Sequence, residues 1–238
     1  MVGPSLWVGV AALLASMAGC GSSTSESGPT PSSAAQPATS STSEPSPRDP
    51  DPASLLQRLV IGDDDLRPGE RTDIIDGGTD ADFEVTLDYC GAAFPSEGHR
   101  VARRQQGIAD DTNPNIASNE AVLYEPDYAE QALAEIERAV AECPPDKLAE
   151  SDVVGTPALR TSSRPIPEDQ LTSVVADHLA IVETATPENG PVLTLAAIFQ
   201  RRGRVLIISY SPDPARAVAL ANSAGKRLAD SPAEELGA

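Results

Sequence analysis

The stretch Val192–Tyr210, with the sequence VLTLAAIFQRRGRVLIISY, decides the fold. Two apolar segments, Val192–Phe199 and Arg204–Tyr210, flank the polar residues Arg201-Arg202-Gly203, and this pattern predicts a β-hairpin. Both segments carry apolar residues at consecutive positions, so both faces of each strand are expected to be covered. The hairpin is therefore predicted to lie centrally in a sheet.

Two helices are predicted beside this hairpin. The segment Asp127–Cys143 places an apolar stripe at helical spacing, with glutamates at positions 130, 135, 137 and 142 elsewhere. Asp127 is expected to cap its first turn together with Glu130, and two prolines follow Cys143. A last helix is expected to start at Asp213-Pro214, and its buried stripe comprises Ala217, Leu220, Ala221, Ala224 and Leu228.

The remaining periodic segments complete an α+β pattern. Ala53–Ile61 predicts a short amphipathic helix, and four strands are predicted at Phe83–Leu87, Val101–Ile108, Glu120–Glu125 and Val174–Val182. Helices and strands follow one another without a second linker or a repeat. We expect a single α+β domain over residues 53–238, an antiparallel sheet with helices packed against it.

The N-terminus is typical of an exported lipoprotein. The apolar run Leu6–Met17 is too short to span a bilayer but suits a signal peptide, predicted over residues 1–19. The sequence Met17-Ala18-Gly19-Cys20 resembles a lipobox, in which the cysteine thiol is lipidated. Met17 stands where leucine is usual, and no basic residue precedes the run. The alternative is an ordinary signal peptide with an incidental Cys20.

The segment that follows favours an anchored domain. Among the 32 residues from Gly21 to Pro52, 21 are Ser, Thr or Pro. Such a composition cannot bury enough apolar surface to fold, so residues 20–52 are predicted to form a lipidated cysteine and a disordered tether. Acyl chains at Cys20 would attach the protein to the extracytoplasmic face of the cell membrane without a membrane-spanning helix.

The cysteine count then suggests a disulfide. Apart from Cys20, the chain contains only Cys90 and Cys143, an even pair in an exported and oxidising setting. A Cys90–Cys143 bridge is expected, and two buried thiols are the alternative. No metal site or cofactor is expected, since His99 and His178 are isolated from other ligands in the sequence.

Charge excludes one class of partner. The chain has 36 acidic and 17 basic side chains and a formal net charge of −19, so we expect no nucleic-acid binding. Ten acidic residues crowd positions 63–88, where the choice lies between a calcium-binding loop and a solvated acidic loop. The EF-hand register is absent, which favours the solvated loop.

Catalytic motifs are scarce. The sequence has no nucleophile elbow, zinc-protease motif, dinucleotide fingerprint or P-loop. Ser223 and Lys226 match the SxxK spacing of penicillin-recognising serine enzymes, but no KTG motif follows them. We expect no enzymatic activity.

Two arginine sets are the candidate ligand-binding residues. Arg100, Arg103 and Arg104 form one, and Arg201 and Arg202, with Arg204 nearby, form the other. Guanidinium groups bind carboxylates and phosphates through paired hydrogen bonds, so either set could receive an anionic ligand. Salt bridges within this acidic protein are the alternative.

Several segments together resemble a known kind of domain. They are LDYC (Leu87–Cys90), FPSEGHRVARRQ (Phe94–Gln105), VLYEPDYAEQALAEIERAVAEC (Val122–Cys143) and RRGRVLIISY (Arg201–Tyr210). This combination resembles actinobacterial exported sensor-type domains, such as the PknH-like extracellular domain of mycobacterial serine/threonine kinases and related lipoproteins. The resemblance implies an α+β domain with a cleft, a stabilising disulfide and an envelope ligand. Those domains often have a second disulfide, for which this chain has no cysteines.

The sequence thus favours a lipid-anchored, non-catalytic module that binds an unidentified envelope ligand or protein partner. A structural or assembly factor of an envelope complex is the first alternative. A cell-wall hydrolase that uses His99, His178 or Ser223 is the second.

Overall fold

The computed structural model describes residues 51–83, 86–114, 116–144, 147–149, 159–187 and 191–238. The predicted signal peptide, Cys20 and nearly all of the predicted tether lie outside these residues. The described residues belong to one compact unit. No helix among them is long and apolar enough to cross a bilayer.

An eight-stranded sheet forms the centre of the described structure, and every strand pair in it is antiparallel. In spatial order the strands run β1-β2-β3-β8-β7-β6-β5-β4. Their bounds are β1 Arg71–Ile74, β2 Arg100–Ala109, β3 Ala117–Tyr124, β4 Lys147–Ala149, β5 Leu159–Pro165, β6 Asp177–Pro187, β7 Leu193–Arg202 and β8 Val205–Ser211. The predicted α+β class with an antiparallel sheet is confirmed.

Four α-helices accompany the sheet in the described residues: α1 Pro52–Leu59, α2 Tyr128–Glu142, α3 Pro214–Asp230 and α4 Ala233–Leu236. The α2 helix packs on one face, against Val122, Phe199 and Leu206. The α1 and α3 helices pack on the other face, where all five residues of the predicted α3 stripe are buried. The α3 helix begins at Pro214, as predicted, and the Asp213 side chain caps it by accepting from the Ala215 amide.

The hairpin quoted first lies in the centre of the sheet, as predicted. β7 and β8 pair over Ala196–Arg202, and strand β3 covers the outer edge of β8. The turn is Gly203-Arg204, slightly beyond the predicted Arg201-Arg202-Gly203. Gly203 has a φ of +59°, and a Cβ there would lie 2.4 Å from the Leu236 carbonyl oxygen, so this position requires glycine.

The predicted strand at Phe83–Leu87 is wrong for its described residues. Phe83 is 51% exposed, and neither Thr86 nor Leu87 is in a strand. Their backbone amides donate instead to the Glu97 carboxylate, at 2.6 and 3.2 Å. The Glu97 carboxylate thus accepts the hydrogen bonds that a neighbouring strand would accept if this segment were a strand.

The predicted disulfide is present between Cys90 and Cys143, whose Cα atoms are 5.9 Å apart. It joins the loop after Leu87 to the residue that ends α2. Both cysteines pack against the core that contains Leu133 and Ile136. The bridge therefore secures α2 to its own face of the sheet.

Candidate functional site

A cleft of about 770 Å³ opens at the end of the sheet where the β7–β8 turn lies. The turn forms one wall, and the start of α2 and residues 175–177 form others. Its charged lining consists of Arg201, Arg202, Arg204, Asp127, Glu130 and Asp177. The predicted candidates Arg201 and Arg202 are therefore both at this cleft.

Arg201 differs from the other two arginines because its partners are exposed carboxylates. Its guanidinium pairs with Asp177 and lies 3.9 Å from Glu130 of α2. The Arg201 side chain is only 19% exposed, whereas those of Asp177 and Glu130 are 50% and 75% exposed. Its Nε is buried and has no hydrogen-bond partner among the described residues. Arg201 is thus held at the cleft by two carboxylates that solvent can reach.

Arg202 has a structural task. Its Nη1 donates to the carbonyl oxygens of Leu228, Ala229 and Ser231, at 2.6 to 2.8 Å. These carbonyls lie at the C-terminal end of α3, where backbone acceptors lack partners within the helix and a positive charge is favourable. Arg202 therefore fixes α3 against the turn.

Arg204 holds the other side of the same turn. Its Nε donates to the Tyr124 carbonyl oxygen at 2.8 Å, and its backbone amide donates to the Leu236 carbonyl oxygen at 2.8 Å. The turn is thereby tied to the end of β3 and to α4. These contacts of Arg204 join residues that are far apart in the sequence, so the sequence alone could not predict them.

The prediction that the Asp127 side chain caps α2 is wrong. Its backbone is left-handed, with a φ of +72°, and its side chain accepts no capping hydrogen bond. The carboxylate lines the cleft instead, as does that of Glu130 one turn later. Two acidic residues at the start of α2 thus line the same cleft as the arginine-bearing turn.

The first arginine set does not join the second. Register partners connect the two sets across the sheet. Arg103 of β2 lies beside Val122 of β3, which lies beside Leu206 of β8, and Leu206 lies beside Arg201 of β7. Arg103 and Arg201 are therefore level on the same face but three strand spacings apart, about 14 Å. The apolar residues between them lie beneath α2. The two sets do not form one site.

Arg103 belongs to a buried ion pair. Its Nε lies 2.6 Å from Glu120 Oε1, and both side chains are only 2% exposed. The Thr86 hydroxyl donates to the same carboxylate oxygen at 2.7 Å and accepts from Arg100 Nη1 at 3.0 Å. Arg100 also pairs with Glu97 at 3.4 Å. These contacts make Arg100 and Arg103 structural residues on the α2 face.

Arg104 points to the opposite face from Arg103. Its register partner on β3 is Ala121, which is buried with residues of α1 and α3. Arg104 therefore shares no face with Arg103, and the compact set in the sequence is divided by the alternation of the strand.

Burial also changes the titration of the carboxylate beside Arg100. Desolvation raises the pKa of Glu97, although the Thr86 amide and Arg100 act in the opposite direction. Burial raises the pKa of Tyr124 well above its usual value, and the nearby carboxylates of Glu97 and Glu120 add to this effect. The α2 face thus contains a desolvated polar network that is separate from the cleft.

Other acidic residues are less solvated than the sequence suggested. Glu70 pairs with Arg216 at 2.5 Å, and Asp65 pairs with Arg227 at 2.9 Å. Both arginines lie on α3, and both carboxylates are buried. Glu135, which was expected on the exposed side of α2, is buried as well, and it accepts hydrogen bonds from Ser96 and Gln131.

The candidate catalytic residues have structural partners. His99 stacks on Tyr128 and lies 2.8 Å from Glu125, and His178 Nδ1 lies 2.9 Å from the Val175 carbonyl oxygen. The Ser223 hydroxyl accepts from Arg227, while Lys226 pairs with Asp230 at 2.7 Å. Ser223 and Lys226 thus form separate contacts within α3.

No group of three or more metal-ligating side chains occurs in the described ranges. Comparison with the models of known protein families and with curated proteins gives no match for this chain.

Proposed function

We propose that the protein is a lipid-anchored lipoprotein on the extracytoplasmic face of the cell membrane and acts there as a non-catalytic, sensor-like binding module. The observation that carries the binding role is the cleft at the β7–β8 turn. Its volume of about 770 Å³ lies within the range of small-molecule sites, about 300–1,000 Å³. The arginine and carboxylate groups along it supply polar recognition.

The anchored location is supported by the N-terminal sequence and by the disulfide of the folded domain. Met17-Ala18-Gly19-Cys20 provides an acylation motif, followed by a segment rich in Ser, Thr and Pro. The Cys90–Cys143 disulfide fits a domain that folds in an oxidising compartment. The resemblance to actinobacterial sensor-type domains agrees with both.

The contacts of the candidate nucleophile support a non-catalytic role. General-base activation requires a base within hydrogen-bond reach of the nucleophile. The neighbour that bonds the Ser223 hydroxyl is Arg227, whose guanidinium donates the bond and offers no acceptor for the hydroxyl proton. Lys226, the base that the SxxK spacing would supply, pairs with Asp230 instead.

The anchor is tested by expressing the full chain in an actinobacterial host and separating its membranes. Mass spectrometry of the membrane protein should show acyl chains on Cys20 and a loss of the first 19 residues. The Cys20→Ala variant should leave the membrane fraction. Membrane attachment that survives this substitution would overturn the proposed anchor.

The binding role is tested by thermal unfolding of the domain with cell-wall fragments, lipids and envelope extracts. A ligand selective for the native state raises the melting temperature. Ala176 is exposed and lines the cleft, so Ala176→Trp should fill the cleft and remove this shift without loss of folding. If no preparation stabilises the wild type, while crosslinking in cells captures one protein neighbour, an assembly factor replaces the binding module.

A further inference from the structure

We propose that the cleft binds a short peptide that carries both a free carboxylate and a free ammonium group, an inference that rests on the proposed binding role. Three arginines and three acidic residues line the cleft, and its uncharged side chains are short. The guanidinium groups of Arg202 and Arg204 are bonded to backbone carbonyl oxygens, which leaves Arg201 as the arginine whose partners are exposed carboxylates. This combination specifies both the charge and the size of the ligand.

The balance of charge is the first step. A ligand that enters the cleft removes water from both kinds of group, and a desolvated charge without a partner is costly. A purely anionic ligand would leave Asp127 and Glu130 without compensation. A purely cationic ligand would do the same to the arginines. A ligand with both charges can compensate both walls.

The availability of the groups is the second step. Arg201 is held by two carboxylates that are themselves at least half exposed, so a ligand in the cleft can reach the side of Arg201 that they occupy. A ligand carboxylate can therefore compete with Asp177 for the Arg201 Nη2 group. Asp127 and Glu130, which do not cap α2, can receive the ammonium group.

The uncharged lining is the third step. Besides glycine, it consists of Pro126, Val175, Ala176, Ala229 and Ala238. These side chains offer shallow apolar contact and no deep pocket for an aromatic ring. They suit a peptide of a few residues with small side chains.

The experiment compares four forms of trialanine by calorimetric titration of the domain. They are the free peptide, the N-acetylated form, the C-terminal amide and the form blocked at both ends. A charged hydrogen-bonding group is worth about 1.5–3 kcal/mol, so blocking either end should weaken binding about 10- to 100-fold. The doubly blocked peptide should show no binding.

Two variants assign the ends of the peptide. In Arg201→Gln, the free peptide and the amide should bind equally, because the partner of the carboxylate is gone. In Glu130→Gln, the ratio of the affinities of the free and the N-acetylated peptide should fall to half or less, because a partner of the ammonium group is gone. It should stay above one, because Asp127 and Asp177 remain. Arg164→Gln, an exposed change on β5 away from the cleft, is the control and should bind like the wild type. Circular dichroism and thermal unfolding verify that each variant is folded.

The outcomes separate this inference from the binding role. Equal binding of the free and blocked peptides, or no binding of any form, overturns the ligand class. If envelope extract still stabilises the wild type but not Ala176→Trp, the cleft binds another ligand and the binding role stands. If neither peptide nor extract stabilises the wild type, both proposals fail.

Discussion

The buried pair Arg103–Glu120 gives the sharpest test of the fold. Replacing Arg103 with Met keeps most of the side-chain volume but leaves the Glu120 carboxylate buried without its cation. At an effective dielectric constant of about 20, two charges about 4 Å apart interact by about 4 kcal/mol. Breaking a buried pair typically costs about 3–5 kcal/mol. Glu120 keeps its hydrogen bond from Thr86, so we expect a loss near the lower end of this range.

The assay is urea unfolding of Arg103→Met, Glu120→Leu and the double variant, followed by circular dichroism at pH 7. Each single variant should lower the free energy of unfolding by about 3 kcal/mol. The double variant should lose less than either single one, because no unpaired charge remains buried. Lys226→Met is the matched control, since its pair with Asp230 is exposed, and it should change stability by less than about 1 kcal/mol.

Two results would refute this reasoning. If Arg103→Met cost no more than Lys226→Met, the pair would not be desolvated as its 2% exposure implies. If the double variant lost as much as both single variants together, Arg103 and Glu120 would stabilise the domain independently rather than as a pair.

Three further predictions concern the disulfide, a carboxylate and a phenol. The Cys90–Cys143 bridge spans 53 residues, so its reduction should lower the free energy of unfolding by about 4 kcal/mol in urea; a change under about 1 kcal/mol would contradict this. Burial, and to a smaller extent the charge of Asp88, raises the pKa of Glu183 in the folded protein above its usual value. The native state therefore binds a proton more tightly than the unfolded chain, and the domain loses stability as the pH rises through the folded-state pKa. Glu183→Gln should therefore be more favourable relative to wild type at about pH 7.5 than at about pH 4, and a pH-independent difference in urea unfolding would disprove the assignment. The Tyr124 hydroxyl is buried and has no hydrogen-bond partner within the described residues. The free energy of unfolding of Tyr124→Phe should therefore equal that of the wild type or exceed it by up to about 2 kcal/mol. A lower melting temperature of the variant would indicate a water bound to the hydroxyl.

The elements that the sequence predicted correctly are those whose signal is local. The hairpin and α3 each combine a long apolar pattern with a turn or a cap, and burial follows directly from that pattern. Strands β1 and β5 were missed because RTDI and LRTSSRP show no apolar alternation. The pairing with β2 and β6 makes them strands, and such pairing is not local.

The arginines show a second limit of sequence reasoning. Arg103 and Arg104 are adjacent, yet one pairs with Glu120 on the α2 face and the other faces α1 and α3. Their charge is visible in the sequence, but their partners depend on strand register. Arg201 and Arg202 also alternate, since Arg201 contacts α2 and Arg202 contacts the end of α3, but both residues line the cleft at this end of the sheet.

Contacts of the same turn fix one wall of the cleft. Arg202 is fixed by three carbonyl groups of the α3 end, and the Arg204 backbone is hydrogen-bonded to Leu236. Gly203 permits this close approach. The wall that presents Arg201 is therefore assembled by folding, so a ligand would order few additional groups. Because ordering costs reduce affinity, a preformed wall allows even a small charged ligand to be retained.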